Sequence, residues 1–270
     1  MPEGDTVHRI ARVLGSELTG QTLTALALHD RGEVPELAGR TIESVEAVGK
    51  HLLVNFSGDW TLRVHLGMHG GWLRKHVLEP RPGGWTVIIT AGDVAYVCRR
   101  SYRAELLRSS AVSTHPRLAR LGPDLLADPP RIDEMVKRAR LGAHAEREIG
   151  DVLLDQRVAS GIGNVYKSEV LFETRVHPRT KVRELSDAQL IGIFETAAKL
   201  MRLNLLTRRR TSVPLRRREQ PSSQRLWVYM RGGRPCLDCG TSIERFLQGD
   251  MARSTYFCPR CQAQGANTAG

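Results

Sequence analysis

The apolar positions of the chain change their period along its length. Between residues 5 and 18, Val7, Ile10, Ala11 and Leu14 keep the i, i+3, i+4, i+7 spacing of one helix face, with Asp5 or Thr6 available as a cap. From Gln21 to Cys98 the period shortens. Residues 23–28, 42–48, 52–56, 60–66, 85–90 and 94–98 are short runs rich in branched side chains, and Gly49-Lys50, Gly58-Asp59 and Gly92-Asp93 separate them as turns. Trp60, Leu62, Val64 and Leu66 alternate with polar residues, which predicts a strand with one buried face. A leading helix and an antiparallel β-sandwich or barrel are therefore expected in the first half.

The second half reads differently. Residues 122–130 contain Pro123, Pro129 and Pro130 and read as a linker. Beyond them Leu153, Leu154, Val158, Ile162, Val165, Val170, Leu171 and Phe172 mark two short helices, broken at Ser160-Gly161-Ile162-Gly163-Asn164. Asn164 is placed to cap the second helix. The amides of such a break make a phosphate site; a plain helical hairpin fits the same residues equally well. A longer helix is expected over 187–205, with Ser186 and Gln189 in capping-box spacing.

Charge narrows the choice of partner. The 270 residues carry 40 Lys+Arg against 29 Asp+Glu, a formal charge of +11 and a pI of about 10.0. A polyanion, nucleic acid first, is the expected partner. Only six of the cations are lysines, so arginine with its planar fork supplies most of the charge. Residues 201–235 hold ten arginines and one glutamate among prolines and serines, and read as a mobile, DNA-facing loop or a solvated run. There is no signal peptide and no apolar run of membrane-spanning length, so a cytoplasmic protein is expected.

Four of the five cysteines cluster near the C-terminus. Cys236, Cys239, Cys258 and Cys261 form C-x2-C-x18-C-x2-C, the spacing of two knuckles that offer four thiolates to one structural zinc ion. With four sulfurs supplied, no coordination position is left for water. The spacer reads as a β-hairpin with Gly249-Asp250 near its tip and Arg253 just past it, free to grip a phosphate or simply solvated. Cys98 stands alone in a strand pattern and reads as a buried thiol.

The chain opens Met1-Pro2-Glu3-Gly4. Removal of Met1 would leave Pro2 as a terminal secondary amine, and α-amines have a pKa of only about 7.7–8.0. Such an amine attacking a sugar C1′ gives an iminium ion that deprotonation cannot neutralise, an electron sink that favours β-elimination of a 3′ phosphate. Glu3 is a carboxyl beside that amine, able to protonate the sugar ring oxygen. These residues also open proteins in which they have no catalytic use. Lys50, at a turn, either reaches over a cleft or is merely solvated. Met68, in the glycine-rich stretch Gly67-Met68-His69-Gly70-Gly71, is either an exposed wedge or a core side chain.

Taken together, Pro2-Glu3, Gly49-Lys50, the segment DQRVASGIGNVYKSEVLF over residues 155–172, and the cysteine tail with Arg253 resemble the formamidopyrimidine-DNA glycosylase/endonuclease VIII family along almost the whole chain. The resemblance implies an α+β protein: an N-terminal antiparallel β-sandwich with flanking helices over 1–121, a linker over 122–130, a helical helix-two-turn-helix domain over 131–222, and a zinc-finger β-hairpin region over 223–270. It implies a monomer that binds damaged double-stranded DNA in a cleft between the domains, with one structural zinc. By resemblance Pro2 is the Schiff-base nucleophile, Glu3 the proton donor and Lys50 a second donor. Arg253 binds phosphate and assists δ-elimination. Arg120 and Asn164 bind phosphate, and Gly67, Met68 and His69 fill the gap left by the flipped base. Gly4 after Pro-Glu, and the segment RRSYRAELL over residues 99–107, which lacks an Arg-Arg-Phe wedge, resemble the endonuclease VIII branch. Asp5-Thr6 departs from that branch's usual second glutamate. The implied activity is a bifunctional glycosylase and AP lyase for oxidised pyrimidines. The alternatives are an oxidised-purine glycosylase and a non-catalytic, damage-recognising zinc DNA-binding protein.

Overall fold

The structure, a computed structural model, describes residues 2–207, 210–214 and 225–263. The chain divides into two units, Met1–Arg120 and Leu121–Gly270. Met1 and much of the arginine-rich stretch, namely residues 208–209 and 215–224, lie outside the described residues.

In the first unit, α1 (Gly4–Leu18) buries Val7, Ala11, Leu14 and Leu18. It begins one residue earlier than its periodicity suggested, and neither Asp5 nor Thr6 caps it. Glu3 occupies the cap position with extended backbone, and its carbonyl accepts the amides of Thr6 (3.0 Å) and Val7 (3.1 Å). Burial of the apolar face fixes the helix, so no side-chain cap is required.

Nine strands follow: β1 (Ala25–Leu28), β2 (Gly32–Glu33), β3 (Ile42–Val48), β4 (His51–Phe56), β5 (Trp60–His65), β6 (Gly71–His76), β7 (Trp85–Ala91), β8 (Val94–Arg99) and β9 (Arg103–Arg108). They form a five-stranded sheet ordered β2-β1-β7-β8-β6 and a four-stranded sheet ordered β3-β4-β5-β9, with antiparallel pairing throughout. Leu26, Val54, Phe56, Leu62, Val64, Val87, Ile89 and Cys98 fill the space where the sheets face one another, and α1 adds its apolar face to that core. The sequence pattern missed three strands: the two-residue β2, too short to show a period, and β6 and β9, whose charged residues (Arg74, Lys75, Glu105) interrupt any alternation.

One expectation needs correction. Strand β5 is buried on both faces, not one: Thr61 and Arg63 are as inaccessible as Leu62 and Val64. Its outer face is covered by the residues after β9. Thr61 Oγ1 lies 2.8 Å from Ser109 Oγ, the Ser110 amide donates to Asp59 Oδ1 at 2.8 Å, and His115 meets Glu105 at 3.1 Å. Polar pairing there replaces the solvent that an alternating strand would otherwise face.

The second unit is helical: α2 (Ile132–Arg140), α3 (Ile149–Val152), α4 (Asn164–Glu173) and α5 (Asp187–Leu205) enclose a core that includes Met135, Val152, Tyr166, Phe194 and Met201. The capping box of Ser186 and Gln189 is formed as its spacing suggested. The proline-rich residues 122–130 are not a loose tether. Leu125 is fully buried, and the Gly122 amide bonds to Gln156 O at 2.8 Å, so apolar contact outweighs the prolines. Near the C-terminus β10 (Glu244–Gln248) and β11 (Arg253–Phe257) form a hairpin. Gly249 turns it with φ of +68°, and a Cβ there would stand 2.3 Å from Asp151 Oδ1, so glycine is required on both counts. Among the described residues no helix is long and apolar enough to cross a membrane.

Candidate functional site

The residues singled out above fall in three places. In the first unit, Pro2 is half-buried and Glu3 completely buried at the head of α1. That helix packs on β3 and β4, the strands joined by the Gly49-Lys50 turn. Gly49 takes φ of +57°, as a two-residue hairpin turn demands, and Lys50 is half-buried beside it.

Next to Lys50 the outer face of the four-stranded sheet carries a polar layer that sequence reasoning did not find. Register pairs His51 with His65 and Arg63 with Glu105. The two imidazoles meet at a tilt of 52°, with centroids 4.9 Å apart. Burial, then the positive charges of Arg63 and its neighbours, pushes the His51 pKa down to about 2. Burial, then Lys50 and Arg63, pushes His65 down to about 4. Both rings are therefore neutral. His65 Nδ1 accepts the Gly67 amide at 3.2 Å, which leaves its ring proton on Nε2. Burial pushes the Glu105 carboxyl up, but Arg63, His115 and Arg103 outweigh it and hold the group ionised, in direct contact with the Arg63 guanidinium. The one signal in the sequence is an arginine among the polar positions of β5.

His65 leads into the loop that carries Gly67, Met68 and His69. Met68 does not enter the core; it is 53% exposed, and His69 is exposed beside it. Gly70 closes the turn, its amide bonded to Leu66 O at 3.1 Å where any Cβ would strike that carbonyl. Arg120 is exposed at the end of this unit. Burial pushes the Cys98 thiol up to about 11, as befits an inert core residue.

In the second unit Asn164 is the first residue of α4, not its cap. Gly163 holds the cap position, and Asn164 Nδ2 donates to Ser254 O at 2.7 Å, tying the helix to the hairpin. A buried side-chain relay reinforces that tie. Lys167 Nζ donates to Thr255 Oγ1 (2.6 Å), Thr255 Oγ1 to Gln248 Oε1 (2.8 Å), and Gln248 Nε2 to Glu148 Oε2 (2.7 Å). Arg253, half-buried, opens β11 opposite Gln248 and is thus presented from a fastened hairpin. Glu169, also on α4, is fully buried. Its carboxylate accepts the amides of Trp227 (2.7 Å), Val228 (3.0 Å) and Tyr229 (2.8 Å) and the hydroxyl of Ser212. Lys167 and Glu169 lie within the segment over residues 155–172 quoted above, but nothing in the sequence singled them out.

The four clustered cysteines converge. All four Sγ atoms lie within 4.8 Å of one another, with Cys236–Cys261 at 3.9 Å and Cys239–Cys258 at 3.4 Å. A tetrahedral metal with metal–sulfur bonds of about 2.3 Å sets its sulfurs about 3.8 Å apart, so the set fits a metal ion. Backbone amides of Asp238 and Cys261 point at Cys236 and Cys258 Sγ, each at 3.4 Å. A hydrogen bond from Thr241 draws the Cys239 thiol down to about 6, whereas burial pushes the Cys258 and Cys261 thiols up. Gln262 ties the cluster to Val176 O at 2.8 Å.

Residues 1–103 match the formamidopyrimidine-DNA glycosylase N-terminal domain, and residues 121–213 match the formamidopyrimidine-DNA glycosylase H2TH domain. A Streptomyces coelicolor relative named probable endonuclease 8 2 is 39% identical over 277 residues, covering 100% of this chain and 97% of its own. A Mycolicibacterium smegmatis relative named DNA-(apurinic or apyrimidinic site) lyase Nei2 is 34% identical, covering 97% of this chain and 99% of its own. Among solved structures, Lactococcus lactis Fpg in complex with DNA containing N7-benzyl-Fapy-dG has a TM-score of 0.82 at 22% identity, over 97% of this chain and 100% of that one. The fold is shared: an N-terminal β-sandwich, an H2TH domain and a cysteine cluster near the C-terminus.

Proposed function

Because the chain belongs to the formamidopyrimidine-DNA glycosylase family, in its endonuclease VIII-like branch, we propose that it is a bifunctional DNA glycosylase and AP lyase of base excision repair. Its substrate is oxidised pyrimidine in duplex DNA, and it acts as a monomer in the cytoplasm, on the nucleoid. The observation that carries this is the head of α1, where Pro2 directly precedes a fully buried glutamate on a helix packed beside the Lys50 turn.

With Met1 removed, the Pro2 nitrogen attacks C1′ of the flipped nucleotide. The C1′–N bond to the base breaks, and the base leaves with the proton released by the amine. Glu3 protonates the ring oxygen, the C1′–O4′ bond opens, and an iminium ion links Pro2 to the sugar. Loss of a C2′ proton breaks the C3′–O3′ bond and expels the 3′ phosphate. Loss of a C4′ proton then breaks C5′–O5′ and expels the 5′ phosphate, and water hydrolyses the iminium to free Pro2. Lys50 serves as a second proton donor at the backbone. Arg120, Asn164 and Arg253 hold phosphates, Arg253 also at the δ-elimination step, and Gly67, Met68 and His69 occupy the vacated stack. Cys236, Cys239, Cys258 and Cys261 would hold one zinc ion, whose filled tetrahedron staples the hairpin and supplies no chemistry.

Borohydride reduction with an abasic-site duplex tests the proposal. Protein whose intact mass shows loss of Met1 is expected to leave a covalent adduct, and Pro2→Gly to leave much less. Mature protein that leaves none reduces the chain to a DNA-binding zinc protein. Faster release of 8-oxoguanine than of thymine glycol or 5-hydroxyuracil would overturn the pyrimidine assignment.

A further inference from the structure

Helix α4 stops on a residue that its geometry does not favour. The Arg175 amide bonds to Phe172 O at 3.2 Å and the Val176 amide to Leu171 O at 3.0 Å. This pair of bonds belongs to the helix stop in which the residue after the cap turns left-handed, a position that glycine usually fills. Here it is Arg175, with φ of +58°. An L side chain is costly at that angle, so contacts made by the side chain must hold it there.

Those contacts lead to the cysteines. The Arg175 guanidinium pairs directly with the Asp238 carboxylate, inside the Cys236–Cys239 knuckle, and lies over the Phe172 ring, 4.7 Å from its centroid. Phe172 in turn stacks on Trp227, with centroids 5.3 Å apart, and belongs to the same apolar cluster as Cys236 and Cys258. Asp238 works in two directions, because its own amide points at Cys236 Sγ. The second knuckle is held from the next residue along. Val176 O accepts from Gln262 Nε2 at 2.8 Å, and Gln262 Oε1 accepts the Cys258 amide at 3.0 Å. One turn of chain therefore grips both halves of the cluster.

Charge adds a further link. Four thiolates carry more negative charge than one divalent ion neutralises, and Asp238 adds to the excess. Partial burial works against the guanidinium, but Asp238 and then the Cys261 and Cys236 sulfurs outweigh it and hold its pKa above the ordinary value. With Arg175 44% exposed, its ion pair alone is worth little. A cation fixed by a ring and a carboxylate beside a surplus of sulfur charge is worth more, as groups that support metal ligands generally are.

We propose that Arg175 is a metal-retention residue: its guanidinium, seated over Phe172 and pinned to Asp238, offsets the charge of the four-thiolate zinc site and keeps the first knuckle closed around the ion. The role rests on the zinc reading given above.

The test loads the full chain and its variants with zinc, counts the ion by elemental analysis, and follows its transfer to a chromogenic chelator. Groups that support metal ligands are worth about 10-fold to 100-fold in metal affinity. Arg175→Gln keeps most of the side chain and loses the charge, and should release zinc at least about fivefold faster than wild type. Arg175→Lys keeps the charge without the fork and should stay within about threefold. Arg175→Gly relieves the left-handed turn, so it should melt no lower than Arg175→Gln and yet lose zinc as fast. Cobalt(II) loaded in place of zinc should give wild-type d–d bands in every variant, because the four sulfurs are unchanged. Wild-type release by Arg175→Gln or Arg175→Gly overturns the role. Equal acceleration in the Lys and Gln variants overturns charge as its cause, and altered cobalt bands overturn an action from outside the ligand set. A wild type that takes up neither zinc nor cobalt would sink the zinc reading itself rather than the part given to Arg175.

Discussion

Acidification should loosen the first unit by a calculable amount, and His51 should be a main cause. This imidazole is buried, and Arg63, His65, His115 and Arg117 all disfavour its protonation. Its pKa is about 2 when folded against 6.5 when exposed. Below pH 6.5 the unfolded chain takes up a proton that the folded chain refuses, so stability is complete above pH 6.5 and declines as pH falls. At 1.36 kcal/mol per pH unit, going from pH 7 to pH 5 costs about 2 kcal/mol through His51. His65, at about 4 when folded, adds up to about 2 kcal/mol more, less any coupling between rings in contact. Urea titrations of the full chain at pH 7, 6 and 5 would follow fluorescence dominated by Trp60, Trp72 and Trp85, all in the first unit. With m near 2 kcal/mol/M, the midpoint of the wild type should fall by about 1–2 M. His51→Leu is nearly isosteric and removes an Nδ1 that is buried without a partner, so it should lose about half as much. Equal losses in the two proteins, or a flat wild-type midpoint, would refute the assignment of buried neutral imidazoles.

Glu169→Gln keeps the side chain's volume but sets a donor against the amide donors of residues 227–229. A loss of about 2 kcal/mol is expected, with a melting point lower by about 4–8 °C; an unchanged melting curve would mean that the carboxylate does not organise that segment. Chelation should release one zinc per chain by elemental analysis and weaken DNA binding, and normal binding by metal-free protein would remove the role given to Arg253. DNA affinity should fall steeply with added salt as phosphate contacts release counterions. A salt-independent affinity would place the DNA elsewhere than on the arginine-rich surfaces.

Much of this molecule could be read from residues alone. Periodicity located α1, six strands and α5, and spacing alone picked out the four converging cysteines. What escaped notice has a common physical origin. Strands β6 and β9 are specified by cross-strand partners, so Arg103-Ala-Glu-Leu-Leu-Arg108 carries no alternation of its own. Asn164 looked like a cap because cap preference is local, yet its side-chain amide donates to Ser254 O, 90 residues away. The His51–His65–Arg63–Glu105 layer depends on register across three strands, and register is invisible until the strands are paired. Lys167 and Glu169 are charged residues on a helix with no exposed face, and only the fold reveals the partners that make their burial tolerable.

The double burial of β5 has a consequence for how this protein drifts and can be engineered. An ordinary sandwich strand accepts change at every second position, because half its side chains look outward. From Thr61 to Val64 there is no such holiday: each residue is enclosed, alternately by polar and by hydrocarbon neighbours. A saturation library should therefore show an unbroken block of intolerance there, with Leu62 and Val64 rejecting polar substitutes and Arg63 rejecting everything that cannot answer Glu105.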